Sequence, residues 1–254
     1  MLINKKRVMV KFMSNNLERL QKVIAQSGVT SRRKAEQLIL EGKVKVNNKI
    51  ITVLGTKVSL QDEIEVEGIP LEKEEHVYYM LYKPRGVISS VSDNKGRKTV
   101  IDFFPEVEER IYPIGRLDYD SSGIILLTND GEFANLLMHP KHGVEKVYVA
   151  KVRGIPSKEE LSRLKKGVKV DNDLLKTVRY HILSKDRKKN TAVLELTLIE
   201  GKNRHVRRMM EAIGYPVQKL KREKYGSLTL DGLQPGDARP LNPKEMKQMI
   251  NRAK

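Results

Sequence analysis

The chain reads as an α+β protein in two parts, a small αα-β module followed by a larger sheet-based domain with flanking helices. Three observations lead there. Two segments of helical period precede a short alternating stretch within the first seventy residues. A polar, mixed-charge stretch containing Pro70 runs from Gly68 to Glu75, and beyond it strand-like runs alternate with brief helical segments. A length of 254 residues suits one large or two modest domains, each with enough chain to bury a core. The expected divisions are a flexible basic extension at 1–16, the small module at 17–70, a linker at 71–75 and the larger domain at 76–254.

In the module, Leu17, Leu20, Val23 and Ile24 have helical spacing, and Gly28 closes that segment. Thr30 or Ser31 caps a second helix with Ala35, Leu38 and Ile39 on one face, ended by Gly42. Val44 and Val46 alternate with Lys43 and Lys45, Asn47-Asn48 turns the chain, and Glu63 to Glu67 adds a strand. Arg32, Arg33 and Lys34 fall in the first turn of the second helix, where the helix dipole disfavours cations and an external phosphate would relieve the conflict.

The larger domain opens with the apolar, aromatic strand Val77 to Tyr82, ended by Lys83-Pro84-Arg85-Gly86. Ser89 to Lys98 is a polar loop. Two apolar runs, Ile111 to Ile114 and Ile124 to Leu127, flank a polar loop containing Asp118, set there by the strand before it. Glu132 to Met138 reads as a short helix, and His139, before Pro140 at its end, as a structural residue. Glu145 to Arg153 is the clearest alternating stretch. Ser157 and Glu160 make a capping box for a helix that ends at Gly167. Ala192 to Leu198 is strand-like, and Val206, Met209, Met210 and Ile213 form the core face of a helix, with Arg204, Arg207 and Arg208 pointing elsewhere. Short strands fill Lys219 to Leu241, and Asn242-Pro243 caps a final helix.

Composition narrows the function. There is no Cys for a disulfide or thiolate metal site, and the five His lack zinc spacings. No apolar run approaches a membrane span, and Met1 to Lys11 lacks the apolar region of a signal peptide, so a soluble, cytoplasmic, metal-free protein is expected. Lys and Arg number 49 against 32 acidic residues, a net charge of +17, which points to a polyanionic partner. The charge is clustered: Lys202, Arg204, Arg207, Arg208, Lys219, Lys221, Arg222 and Lys224 face only Glu211 and Glu223 in that stretch. No dinucleotide or Walker-type glycine motif is present.

Gly115-Arg116-Leu117-Asp118, followed by Gly123-Ile124-Ile125-Leu126-Leu127-Thr128-Asn129-Asp130-Gly131, closely resembles the active-site motif of ribosomal RNA pseudouridine synthases of the RsuA/RluB branch. Lys83-Pro84-Arg85-Gly86 is similar to the family's opening motif, Lys146-x-Tyr148 to its second, and Gly201 to Arg208 to its third. Leu17 to about Glu67 resembles the S4-like RNA-binding module, with Arg19, Arg32, Arg33, Lys43 and Asn47 at matching positions. The resemblance implies a mixed, largely antiparallel β-sheet catalytic domain with flanking helices. It implies a cofactor-free isomerisation of uridine to pseudouridine in ribosomal RNA or a pre-ribosomal particle, leaning toward the large subunit (23S), by a monomer. It makes Asp118 the essential carboxylate, supported by Arg116 and Leu117. Tyr148 becomes the ring over the target base, and Arg207 the cation that keeps Asp118 ionised and aimed. Lys83, Arg85, Lys202, Arg204 and Arg208 join the module's residues as RNA contacts. His205 stands where relatives often carry Gln or Glu.

Two other readings fit parts of the sequence. A catalytically silent RNA-binding ribosome-assembly factor accounts for the charge and the module but not for Asp118, Tyr148 and Arg207 together. A metal-dependent nuclease would need Asp118 clustered with Asp120 or Asp130.

Overall fold

A computed structural model describes residues 17–59, 61–72 and 74–253. The basic extension at 1–16 lies outside the described residues. The chain divides into two compact units, Met1–Glu74 and Glu75–Lys254.

The first unit is built from β1 (Glu18–Arg19), α1 (Leu20–Gln26), α2 (Arg32–Leu40), β2 (Val44–Val46), β3 (Lys49–Ile50), β4 (Lys57–Val58), β5 (Ile64–Val66) and β6 (Ile69–Pro70). Strands β3-β2-β5-β6 form a small antiparallel sheet. Leu20, Ile24, Ala35, Ile39 and Val44 are fully buried between it and the two helices. The helical spacing from Leu17 overstates α1. Glu18 and Arg19 pair with β4 instead, and the Leu20 amide donates to the Thr56 carbonyl, so the helix begins only where that pairing ends. Ser31 caps α2 as expected, its Oγ accepting from the Lys34 amide. Asn47 and Asn48, at φ of +49° and +66°, make the two-residue turn between β2 and β3.

The second unit contains β7 (Tyr78–Lys83), β8 (Tyr112–Pro113), β9 (Ser121–Thr128), α3 (Gly131–Met138), β10 (Lys146–Arg153), α4 (Lys158–Lys166), β11 (Val168–Val170), β12 (Asp173–Leu175), β13 (Arg179–Asp186), β14 (Thr191–Leu198), α5 (His205–Ala212), β15 (Val217–Tyr225), β16 (Leu228–Thr229), β17 (Ala238–Pro240) and α6 (Pro243–Arg252). Its main sheet runs β13-β14-β10-β15-β9-β7-β17, with β16 on β15 and β8 on β9. Every pairing in it is antiparallel except β15 with β9. The sheet is thus mixed and largely antiparallel.

The apolar runs of β7 and β9 are continuous because both strands bury both faces. Leu81, Ile125 and Leu127 join a core with Leu161 and Leu164 of α4 and Val206, Met209 and Met210 of α5. Met80, Ile124 and Leu126 join another with Phe133 and Leu137 of α3 and Met249 of α6. The capping boxes at Ser157/Glu160 and Asn242/Glu245 open α4 and α6.

A second expectation about the fold also fails. The basic stretch from Lys219 is not a surface of short strands but most of the nine-residue β15, inserted between β10 and β9. There Leu220 and Arg222 are buried while Lys219 and Lys224 are exposed, so alternation within a strand splits one basic run between two environments.

Candidate active site

The site lies where β15 meets β9 in the sheet's parallel pairing. The chain reaches β9 through a tight turn, with the Ser121 amide donating to the Asp118 carbonyl at 3.0 Å. Hydrogen bonds to backbone groups hold this turn from Leu117 to Ser121. Ser89 Oγ accepts from the Leu117 amide (3.0 Å) and donates to its carbonyl (2.8 Å). The Gly86 amide donates to the Tyr119 carbonyl, and Arg85 Nε to that of Asp120. Lys83 Nζ donates to the Ser121 carbonyl at 2.8 Å and to that of Pro84. Lys83-Pro84-Arg85-Gly86 therefore clamps the Asp118 turn. Lys83 is fully buried, so its expected contact with RNA is corrected to this structural role. Burial lowers its amine to about pKa 8, opposed by the charges of Asp118 and Asp120.

The helix α5 brings arginines to the same turn. Arg207 is buried rather than pointing away from the core, because its guanidinium finds carbonyl and carboxylate acceptors there. Nη1 donates to the Val217 carbonyl, and Nη2 to the Asp120 carbonyl and Ser121 Oγ. Its near ion pair is with Asp120 (3.0 Å), while Asp118 stands 3.9 Å from Nε. The expected Arg207–Asp118 partnership is thus a longer-range one, with Asp120 as the tight partner. Arg204 adds a second cation, its Nη1 3.9 Å from Asp118 and 3.8 Å from Asp120. It holds this place from a left-handed backbone (φ +47°), a conformation that a side chain other than Gly adopts at a cost.

Asp118 faces a cavity of about 150 Å³, narrower than the roughly 300–1,000 Å³ of ordinary ligand pockets. Arg116, Leu117, Tyr148, His205 and Arg222 also line it. Arg116 is exposed at its mouth and Leu117 is buried in the core. Tyr148 comes from β10, paired in register with Arg222 of β15. Arg222 donates from Nη1 to the Tyr148 hydroxyl (3.4 Å) and from Nε to the Ile124 carbonyl (2.7 Å). Arg222 is the site residue that sequence reasoning missed, counted there only as part of a basic patch. The signal available was the period-two spacing of Leu220 and Arg222. His205 is buried against the cavity, and burial holds its imidazole below the ordinary range, neutral at neutral pH.

Other expected RNA contacts divide. Arg19, Arg32 and Arg33 are exposed and, among the described residues, make no ion pair. Lys43 pairs with Glu41 and Glu67, and the Asn47 side chain bonds Asp62 and the Glu63 amide, so both support their own hairpin. Lys202 pairs with Asp173. Arg208 is held by Asp171 and Asp173 and by the Val170 carbonyl, a brace between α5 and the β11–β12 hairpin and not a free phosphate ligand. Asp130 caps α3, accepting from the Glu132 and Phe133 amides, which separates it from Asp118. Among the described residues no three His, Cys, Asp or Glu side chains gather in a metal-binding cluster.

An aspartate clamped at a sheet junction, with an aromatic ring and arginines around one narrow cavity, has the form of an enzyme active site suited to an anionic substrate, in a chain that carries a separate αα-β unit. Comparison with known proteins gives the family. Residues 77–212 match the RNA pseudouridylate synthase family and residues 18–64 the S4 domain. The chain is 60% identical over 233 residues to the ribosomal large subunit pseudouridine synthase B of Bacillus subtilis, covering 92% of this chain and 96% of that one. It is 40% identical to an RNA pseudouridine synthase of Aquifex aeolicus, covering 91% and 93%. A crystal structure of a pseudouridylate synthase superposes with a TM-score of 0.66 at 30% identity, over 91% of this chain and 99% of that one. The chain belongs to the RNA pseudouridine synthases, enzymes that isomerise uridine to pseudouridine.

Proposed function

We propose that this enzyme isomerises a uridine of large-subunit (23S) ribosomal RNA, as a cytoplasmic monomer without metal or cofactor. The likeness to the Bacillus subtilis large-subunit enzyme, almost end to end, supports the choice of substrate. One observation carries the chemistry: Asp118, from the turn before β9, and Tyr148, from β10, line the same narrow cavity.

The reaction breaks the bond between the ribose and the base nitrogen, turns the uracil and rejoins it through carbon five. Asp118 acts at the ribose, by attack or by assisting elimination. The guanidinium groups of Arg207 and Arg204 each stand 3.9 Å from its carboxylate. Tyr148 holds the extruded base by its ring. Taking the uridine out of its stack costs a few kcal/mol, less in loops and weak pairs. Arg32 and Arg33 on the S4 unit help to offset that through phosphate contacts, which orient the RNA more than they read its sequence.

The test is tritium release from unmodified 23S and 16S transcripts labelled at uracil carbon five, with a metal chelator present. Release from 23S RNA alone is expected. Release from 16S alone would overturn the substrate, and release that requires a divalent ion would overturn the metal-free mechanism. Sedimentation at the assay concentration should find a monomer.

A further inference from the structure

Arg222 is 3% exposed, and its Nη2, also buried, makes no hydrogen bond among the described residues. A buried donor without a partner is destabilising, more so when charged, so such a group marks a place where a ligand can complete the structure. Lys146, one strand away, lines the same cavity. Among the described residues its amine donates to the carbonyls of Val144 and Ile199 and lies over the Tyr225 ring, 5.0 Å from its centroid. Asp118 and Glu200 also line the cavity, yet among the described residues no carboxylate lies within ion-pair distance of Arg222 or Lys146. Burial, then the charge of Arg222, lowers the Lys146 amine to about pKa 8, as expected of a cation that lacks a counter-ion. Two buried positive charges thus line the cavity, and no carboxylate among the described residues is close enough to pair with either.

We propose that Arg222 binds a carbonyl oxygen of the extruded uracil through Nη2, and that it and Lys146 stabilise the uracil anion formed during the reaction. This rests on the function proposed above. When the bond from C1′ to N1 breaks, its electron pair stays on the uracil and spreads to O2 and O4. The positive charge needed there is already in place, so no reorganisation is required as the negative charge develops. The base then turns, C5 bonds C1′, the C5 proton leaves to solvent and N1 takes one up. Atoms and charge balance without a co-reactant. The contact between Arg222 and the Tyr148 hydroxyl fixes the guanidinium beside the ring that holds the base.

The experiment measures single-turnover rates on RNA carrying uridine, 2-thiouridine or 4-thiouridine at the target, for wild type, Arg222→Met and Tyr148→Phe. Sulfur accepts hydrogen bonds weakly, and its intrinsic effect on the base is the same for every enzyme form. Arg222→Met should slow the uridine reaction about 100- to 1,000-fold with little change in RNA affinity. One thio substitution should slow wild type markedly more than it slows Arg222→Met, while Tyr148→Phe keeps the wild-type thio sensitivity. Equal thio effects in wild type and Arg222→Met would overturn the carbonyl contact. Loss of thio sensitivity in Tyr148→Phe as well would show that Arg222 acts only through the hydroxyl. A wild type that does not convert uridine would refute the function itself, an outcome distinct from both.

Discussion

Gly123 lies where the parallel strands come closest, opposite Arg222 and two residues into β9. A methyl group there would stand 2.2 Å from the Arg222 carbonyl oxygen and 2.5 Å from its amide nitrogen, both backbone atoms that cannot swing aside. Relieving that contact to about 3.0 Å means parting the strands by about 0.8 Å. Gly123→Ala also forces alanine to φ of +117°, outside the regions open to a residue with a side chain, at a cost of at least about 1–2 kcal/mol. Overpacking adds about 1–3 kcal/mol, so stability should fall by about 2–5 kcal/mol. The same shift moves Arg222 relative to the turn that holds Asp118, and a displacement near 1 Å costs up to about 100-fold in rate. Urea unfolding gives the first quantity, and tritium release by the folded variant gives the second. Gly96→Ala is the control: its φ is +68° but nothing lies within 4 Å of the added carbon, so it should lose only about 1–2 kcal/mol and no activity. If Gly123→Ala matched that control in both measurements, the strand junction would not be positioning the site.

Three further outcomes are expected. Stability should rise between about pH 8 and 9.5. Lys83 and Lys146 have amines lowered to about 8 in the folded protein, so over this window the unfolded chain binds more protons and alkali favours folding, by at most about 1.4 kcal/mol per pH unit for each lysine. A flat or falling urea midpoint would contradict this; above pH 10 the raised phenols of Tyr78 and Tyr225 act in the opposite sense. Lys83→Met should remove about half of that rise and also lower the single-turnover rate, since it releases the Ser121 carbonyl from the clamp; an unchanged rate would show that the turn holds itself. Replacing Arg32 and Arg33 by Ala should flatten the slope of log affinity against log salt by about 1.4–1.8, and an unchanged slope would take both residues out of the interface.

Much of this architecture was legible because it is local. Ser157 with Glu160 and Asn242 with Glu245 start helices by contacts three residues apart, and Asn47-Asn48 states its turn in two residues. Asp118 and Tyr148 stand out in the sequence through the motifs around them. What escaped depends on partners remote in sequence. Arg222 looks like its neighbours Lys219, Lys221 and Lys224 until β15 is threaded between β10 and β9, which turns it inward with Leu220. Lys83 reads as a surface residue of a turn, yet it continues the buried face of Leu81 and meets a carbonyl 38 residues away. Arg207 was paired with Asp118 rather than Asp120 because the turn geometry that separates the two carboxylates is not written in their spacing.

The central claim is that Asp118 carries out the isomerisation and leaves RNA recognition to other residues. It is tested by measuring tritium release and RNA affinity side by side for wild type and Asp118→Asn on 23S RNA labelled at uracil carbon five. The expected result is release by the wild type, none by the variant, and affinities that agree closely. Release by Asp118→Asn at a comparable rate, or loss of binding together with turnover, would contradict the account.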